Sequence, residues 1–205
     1  MDEIFASGHP REYPKGQILL YQGSGTYDTF HIKSGFVKVY DITSEGEEKI
    51  LLILGPGDVL PIIWSYRGDY LHYFYAALTD VELTTLPYNT FIKVSDKKHE
   101  YTLELLRYVV DRTQELMKRL ESIDSTSSEK KILLTLDYLG TVHGKVNGRS
   151  IVLPEFITHE LVANMTGLSR ETASLIIKEL ENIKLLTQRP KFKINKKKLA
   201  DKIEG

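Results

Sequence analysis

The chain has 205 residues, room for two domains or one large one, and contains no cysteine. That composition excludes disulfides, cysteine-ligated iron–sulfur clusters, thiol redox sensing and cysteine–zinc sites, and no apolar run approaches the roughly 18 residues of a membrane helix. The net charge of −1 hides an asymmetry: residues 1–125 hold 13 Lys+Arg against 19 Asp+Glu, whereas residues 126–205 hold 14 against 9, a split that suits a basic nucleic-acid module joined to a domain with another task.

The first ten residues, MDEIFASGHP, start acidic and lack the layout of a signal peptide. The expected location is cytoplasmic, with no membrane partner. From 17 to about 86 the pattern is all-β. Ile18-Leu19-Leu20-Tyr21 reads as a strand ended by Gln22-Gly23-Ser24-Gly25. Residues 30–33 lead to Ser34-Gly35, a predicted hairpin turn, and 36–40 return. A polar turn at 43–46 precedes a strand over 49–54, which ends at Gly55-Pro56-Gly57-Asp58. Residues 73–78 and 81–86 read as a further strand pair. Many short strands with glycine turns at regular intervals predict a sandwich or barrel such as a jelly roll.

The segment from 57 to 75 is rich in aromatics: Trp64, Tyr66, Tyr70, Tyr73, Phe74 and Tyr75. Such a wall with a few polar tips suits an apolar or aromatic small molecule. Asp58, Trp64, Tyr66, Arg67, His72 and Phe74 are the candidate effector-pocket residues. The alternative is that the rings fill the space themselves and leave no ligand site. Catalysis has little to stand on. The six histidines, at 9, 31, 72, 99, 143 and 159, are scattered, and no nucleophile–base pair or phosphate loop is visible, so neither an enzyme nor a bound metal or cofactor is expected.

A long helix is predicted from Ser95 or Asp96 to about Ile123. Leu103, Leu106, Val110, Thr113, Met117 and Leu120 step by three and four, the seam of a parallel coiled coil and the candidate dimer interface. A second stripe, Leu105, Val109, Leu116 and Ile123, is expected to pack on the chain's own β domain. The alternative is one wide core stripe in a monomer. Residues 122–128 read as a polar hinge, and an amphipathic helix over 129–139 follows.

From 157 to 186 the sequence reads as two helices joined by a tight turn. Leu161, Val162 and Met165 carry the inner face of the first helix, Gly167 the turn and Leu168 the junction. Ser169 caps the second helix, whose buried stripe is Ala173, Ile176, Ile177 and Leu180. Arg170, Glu171, Ser174 and Lys178 remain for an outward face, as a helix that reads the major groove requires, and with Ser169 and Thr172 at the helix start they are the candidate DNA-binding residues. Residues 185–194 look like two short strands around a turn. Lys191 and Lys193 alternate there with Phe192 and Ile194, and Lys196, Lys197 and Lys198 extend the charge. A basic wing of this kind would grip phosphate, which gives affinity without sequence choice. The plainer alternatives are a helical hairpin with solvated charges and a lysine-rich tail.

The order of β roll, long helix, serine-rich hinge and winged helix-turn-helix resembles the bacterial transcription regulators of the CRP/FNR family across nearly the whole chain. The resemblance rests on Pro14-Lys15-Gly16, on 34–40 (SGFVKVY), on 55–58 (GPGD), on 77–83 (ALTDVEL) and above all on 166–172 (TGLSRET). It implies an α+β fold with an N-terminal β jelly roll of the cyclic-nucleotide-binding kind, a long dimerisation helix and a C-terminal winged helix-turn-helix domain. The corresponding segments are 1–95 for effector sensing, 96–124 for dimerisation and 125–205 for DNA binding.

Function follows from the resemblance as an expectation: a homodimeric, sequence-specific regulator of transcription on palindromic double-stranded DNA, with RNA polymerase as a further partner. In relatives that share the start of the second helix, the residue matching Arg170 reads guanine and that matching Glu171 reads cytosine, as their donors and acceptors allow. Many relatives carry a further arginine where Leu175 stands, and Ser174 matches the serine of another branch, so neither branch's half-site transfers whole. Cyclic-nucleotide binders need a glutamate for the ribose and an arginine beside a small residue for the phosphate. The clamp positions here fall on Leu71 and His72, the glutamate position falls on or near Asp58, and Arg67 lies four residues early. A small effector other than cyclic AMP is therefore expected, and haem held by His72 is a lesser alternative. The runner-up function is a ligand-binding dimer whose helix-turn-helix contacts protein instead of DNA.

Overall fold

The computed structural model describes residues 1–25, 28–61, 70–188 and 191–204. It divides into two compact units, Met1–Val110 and Asp111–Gly205. The first unit is a β sandwich of two antiparallel four-stranded sheets, the jelly-roll layout the glycine-punctuated strands predict. One sheet is ordered β1–β8–β3–β6, from β1 (His9–Tyr13), β8 (Val81–Pro87), β3 (Asp28–Ser34) and β6 (Val59–Leu60). The other is ordered β2–β7–β4–β5, from β2 (Ile18–Leu20), β7 (Phe74–Ala77), β4 (Val37–Ile42) and β5 (Glu48–Leu54). Successive side chains of a strand face opposite ways. Phe30, Ile32, Val81 and Leu83 of the first sheet thus meet Val37, Val39, Tyr75 and Ala77 of the second in one buried cluster.

Two predicted hairpins are corners instead. β3 and β4 lie in different sheets, as do β7 and β8. Gly35 turns the chain across the sandwich with φ +84°, and a Cβ there would sit 2.1 Å from the Asp80 carbonyl oxygen. The two corners are tied together: the Phe36 N–H donates to Thr79 Oγ1 at 3.0 Å and the Leu78 N–H donates to the Phe36 carbonyl at 2.8 Å. Only glycine allows that approach and that φ together. The turn at 43–46 does join a hairpin, with Ile42 opposite Glu48.

The predicted long helix is preceded by a short one. α1 (Tyr88–Ser95) follows Pro87, and α2 (His99–Asp124) begins three or four residues later than expected. Phe91 of α1 and Leu105 of α2 are buried in a second cluster with Ile4, Phe5, Val59 and Leu86, flanked by Tyr101 and Tyr108. The stripe of α2 packed on the β unit is thus Tyr101, Leu105 and Tyr108. The predicted stripe fails at Val109, which is 40% exposed, because the helix turns its tyrosines inward there. The other face of α2 leaves Leu103, Leu106, Val110, Thr113, Met117 and Leu120 exposed.

The second unit holds α3 (Ser128–Val142), capped by Ser127, then α4 (His159–Thr166), α5 (Arg170–Asn182) and α6 (Lys196–Glu204). Its sheet is ordered β11–β12–β10–β9, from β11 (Leu186–Thr187), β12 (Lys193–Asn195), β10 (Ser150–Val152) and β9 (Lys145–Asn147). The hinge is shorter than the serine-rich run suggests. Ser122 is helical and buried, donating to the Arg119 carbonyl at 2.7 Å. Lys196, Lys197 and Lys198 open α6, which is anchored by buried Leu199 and capped by Asn195, so the run is no loose tail.

Candidate nucleic-acid interface

The helix pair is built from local signals. Thr158 caps α4, its hydroxyl accepting the Leu161 N–H at 3.1 Å. Gly167 ends α4 in the left-handed region at φ 67°, ψ 26°, and its N–H donates to the Ala163 carbonyl at 2.9 Å. Ser169 then caps α5, accepting the Thr172 N–H at 3.2 Å. Leu161, Val162 and Met165 of α4 and Ala173, Ile177 and Leu180 of α5 are buried. Ile176, predicted for the buried stripe, is only half-buried.

Ser169, Arg170, Glu171 and Lys178 are exposed, while Thr172 and Ser174 are half-exposed. Leu175 joins them, 65% exposed. The Glu171 carboxyl is held below the usual carboxylate range by a backbone amide at the helix start and by the Ser169 hydroxyl. It is therefore an ionised acceptor lying next to a guanidinium, at a helix N-terminus that itself favours anions.

The wing is partly as expected. β11 pairs with β12, and Phe192 and Ile194 are buried while Lys193 is exposed. Lys191 is half-exposed and ion-paired with Glu155, Nζ to Oε1 2.7 Å, so part of its charge is already matched. Arg189 and Pro190 lie outside the described residues. β12 also pairs with β10, giving the wing a backing hairpin that the expected two-stranded wing lacked.

One polar chain was missed by sequence reading. His159, the first residue of α4, has Nδ1 2.9 Å from Ser174 Oγ and Nε2 2.7 Å from Gln188 Oε1. Gln188 Nε2 donates in turn to Glu181 Oε2 at 3.0 Å. The His159 ring lies edge-on to Phe192, with centroids 5.9 Å apart. This chain ties α4, α5 and the wing together. Its members come from three elements, so no sequence spacing announces it.

Arg119 makes another link within this unit. Its side chain is buried, and the guanidinium donates to Ser122 Oγ at 2.6 Å and to the Met165 carbonyl in the last turn of α4. Burial pushes its pKa down to about 10.

Among the described residues, the effector-pocket candidates Asp58, His72 and Phe74 have separate roles. Trp64, Tyr66 and Arg67 lie outside the described residues. Asp58 is buried and holds its own loop: Oδ2 accepts the Gly55 N–H at 2.7 Å, and Oδ1 accepts the Tyr108 hydroxyl at 3.2 Å. His72 is exposed, and its carbonyl accepts from Gln22 Nε2 at 2.8 Å. Phe74 stacks on Tyr40 at 5.3 Å and meets Tyr21 edge-on, on the sheet face opposite Tyr75. The interior is filled instead by residues such as Leu71, Tyr75 and Leu19. Among the described residues no group of three or more His, Asp or Glu is placed to hold a metal ion, and no helix is long and apolar enough to cross a membrane.

Comparison with known proteins agrees with this geometry. Residues 10–98 match the family model of the cyclic nucleotide-binding domain, and residues 131–201 match that of the Crp-like helix-turn-helix domain. The chain is 27% identical over 183 residues to the HTH-type transcriptional regulator ArcR of Staphylococcus epidermidis, covering 88% of this chain and 79% of that one. It is 26% identical over 183 residues to the cAMP-activated global transcriptional regulator CRP of Salmonella typhimurium, covering 87% and 85%. A solved transcriptional regulator of the CRP/FNR family from Thermus thermophilus superposes with a TM-score of 0.75 at 22% identity, over 96% of this chain and 99% of that one. With one model seated on the β sandwich and the other on the helix-turn-helix, the chain belongs to the CRP/FNR family of DNA-binding transcriptional regulators.

Proposed function

We propose that the protein is a cytoplasmic homodimer that binds a palindromic operator, joined along the exposed Leu103–Leu106–Val110–Thr113–Met117–Leu120 seam of α2. Such a row at heptad spacing is costly to leave in water and suits a second copy. Each α5 enters a major groove, Arg170 donating to guanine O6 and N7 and Glu171 accepting from cytosine N4. Ser169, Thr172, Ser174 and Lys178 complete the face, and Lys191 and Lys193 hold phosphate from the wing. The observation that carries this reading is the exposed Arg170–Glu171 pair in the first turn of a helix capped by Ser169. Half-sites lie about one helical turn apart.

The β roll answers to a small effector other than cyclic AMP. Leu71, at a clamp position, is 2% exposed and belongs to the apolar core, where a phosphate without a cation would be costly. RNA polymerase is the further partner, and the protein performs no catalysis. Selection from a random duplex pool by the purified protein tests the reading. A recovered palindrome supports it. Recovery of nothing, with and without cyclic AMP, together with DNA-indifferent behaviour at low salt, favours a helix-turn-helix that contacts protein. A palindrome recovered only with cyclic AMP overturns the choice of effector.

A further inference from the structure

We infer that Ser174 is a specificity-determining residue restricted to accepting hydrogen bonds, and that Glu181 sets this restriction through Gln188 and His159. The inference rests on the proposal that α5 reads DNA, and deepens it by one base pair.

When the imidazole is neutral, the chain of four side chains has one consistent assignment of protons. The Glu181 carboxylate only accepts, so it takes the amide N–H of Gln188, 3.0 Å away. That orientation turns the Gln188 carbonyl oxygen to His159 Nε2 at 2.7 Å. A carbonyl also only accepts, so the ring proton of the neutral imidazole sits on Nε2. Nδ1 is then a bare lone pair, 2.9 Å from Ser174 Oγ. The Ser174 hydroxyl proton must point at it. What Ser174 retains for solvent or a ligand is its oxygen lone pairs, and the side chain is half-exposed on the face of Arg170 and Lys178.

An unconstrained serine is indifferent, because its hydroxyl donates or accepts as the partner demands. A serine whose proton is committed is not. In the major groove the groups that donate are adenine N6 and cytosine N4, whereas guanine O6 and N7 and thymine O4 accept. Ser174 therefore selects adenine or cytosine on the strand it reaches and faces a lone-pair clash with guanine or thymine. Glu181 touches no base in this account. It is a positioning residue that acts through two others.

The test has one arm without DNA and one with it. At pH 8, the 15N shifts of His159 in the free protein should report the Nε2–H tautomer. In Glu181→Leu the acceptor is removed, the Gln188 amide is released to turn over, and the Nδ1–H tautomer should appear. A wild-type ring protonated on Nδ1 overturns the inference whatever the DNA result. In the second arm, duplexes selected from a random pool are varied one base pair at a time. Wild type should prefer adenine or cytosine at one position by about five-fold, the size of one neutral hydrogen bond. Ser174→Ala should lose that preference, and Glu181→Leu should lose it while keeping the serine. An unchanged preference in either variant overturns the inference while leaving the DNA reading intact. Failure to select any sequence overturns the DNA reading itself, and the tautomer arm still stands apart from it.

Discussion

Two glycines with the same sign of φ should respond very differently to one methyl group. Gly167 sits at φ +67° with nothing within 4 Å of an added Cβ. Gly167→Ala therefore meets only the left-handed backbone penalty of about 1–2 kcal/mol. Part of that is offset because alanine lowers the entropy of the unfolded chain. The net is about 1 kcal/mol, a fall of about 5 °C in the melting of a unit this size. Gly35 has φ +84° and a Cβ position 2.1 Å from the Asp80 oxygen and 2.9 Å from the Val81 Cα, both main chain. Relief requires the two corners to part. The Phe36–Thr79 and Leu78–Phe36 hydrogen bonds are then lost at about 1 kcal/mol each, which brings Gly35→Ala to about 3 kcal/mol. Hydrogen exchange read by mass spectrometry on the full chain separates the two, since protection over 28–60 and over 159–182 falls in different units. Gly167→Asn should recover part of its loss, because asparagine tolerates this region. Equal costs at the two positions, or a cost below about 1 kcal/mol at Gly35, would refute the steric account.

His31 is 3% exposed, and its pKa is lowered from 6.5, chiefly by burial and then by Lys33, against the pull of Asp2. The unfolded chain takes up a proton as pH falls through 6.5 while the folded one resists. The stability of the first unit should therefore be full above pH 6.5 and decline below it, and His31→Phe should flatten that decline in a urea titration. Met117→Glu with Leu120→Glu should convert the proposed dimer to a monomer in sedimentation, because both side chains are more than 60% exposed on the seam; a dimer that persists would place the interface elsewhere. Arg170→Ala should cost about 1–3 kcal/mol and relax choice at one base pair, whereas Lys191→Ala should weaken all DNA alike. The Glu155 ion pair makes the second loss smaller than that of Lys193→Ala, and an equal loss on specific and random DNA for Arg170→Ala would sink the guanine assignment.

What was legible in the sequence was what local chemistry dictates. Gly167 and Ser169 each act within three or four residues of themselves, so the turn and the start of the second helix could be read locally, whereas the equally local cap at Thr158 was passed over. The Asn147-Gly148 dipeptide is an equally local turn signal, and it does join β9 to β10, though the sequence reading passed over it. The corners at Gly35 and Asp80 were not legible. A glycine turn looks the same whether the next strand pairs with the last or crosses the sandwich, and the choice is made by a contact 45 residues away. Asp58 misled for a related reason. A carboxylate at the mouth of a ligand cassette and a carboxylate that closes its own loop share one sequence position, and Tyr108 from α2 decides between them.

The serine-rich run 122–128 suggested a swivel between the long helix and the DNA-binding unit, and the energetics of Arg119 argue otherwise. The guanidinium stays charged at neutral pH although burial lowers its pKa from 12.5 to about 10, a burial cost of about 3 kcal/mol. Its hydrogen bonds to Ser122 and to the Met165 carbonyl return a similar sum, since a bond to a charged group contributes about 1.5–3 kcal/mol. Beyond stability, the group adds geometry. It fixes the last turns of α2 to the end of α4, two residues before Gly167 starts the approach to α5. Those turns therefore belong to the same compact unit as the helix-turn-helix. The two compact units meet in sequence at Val110 and Asp111, within α2, and Arg119 with its partners lies wholly in the second.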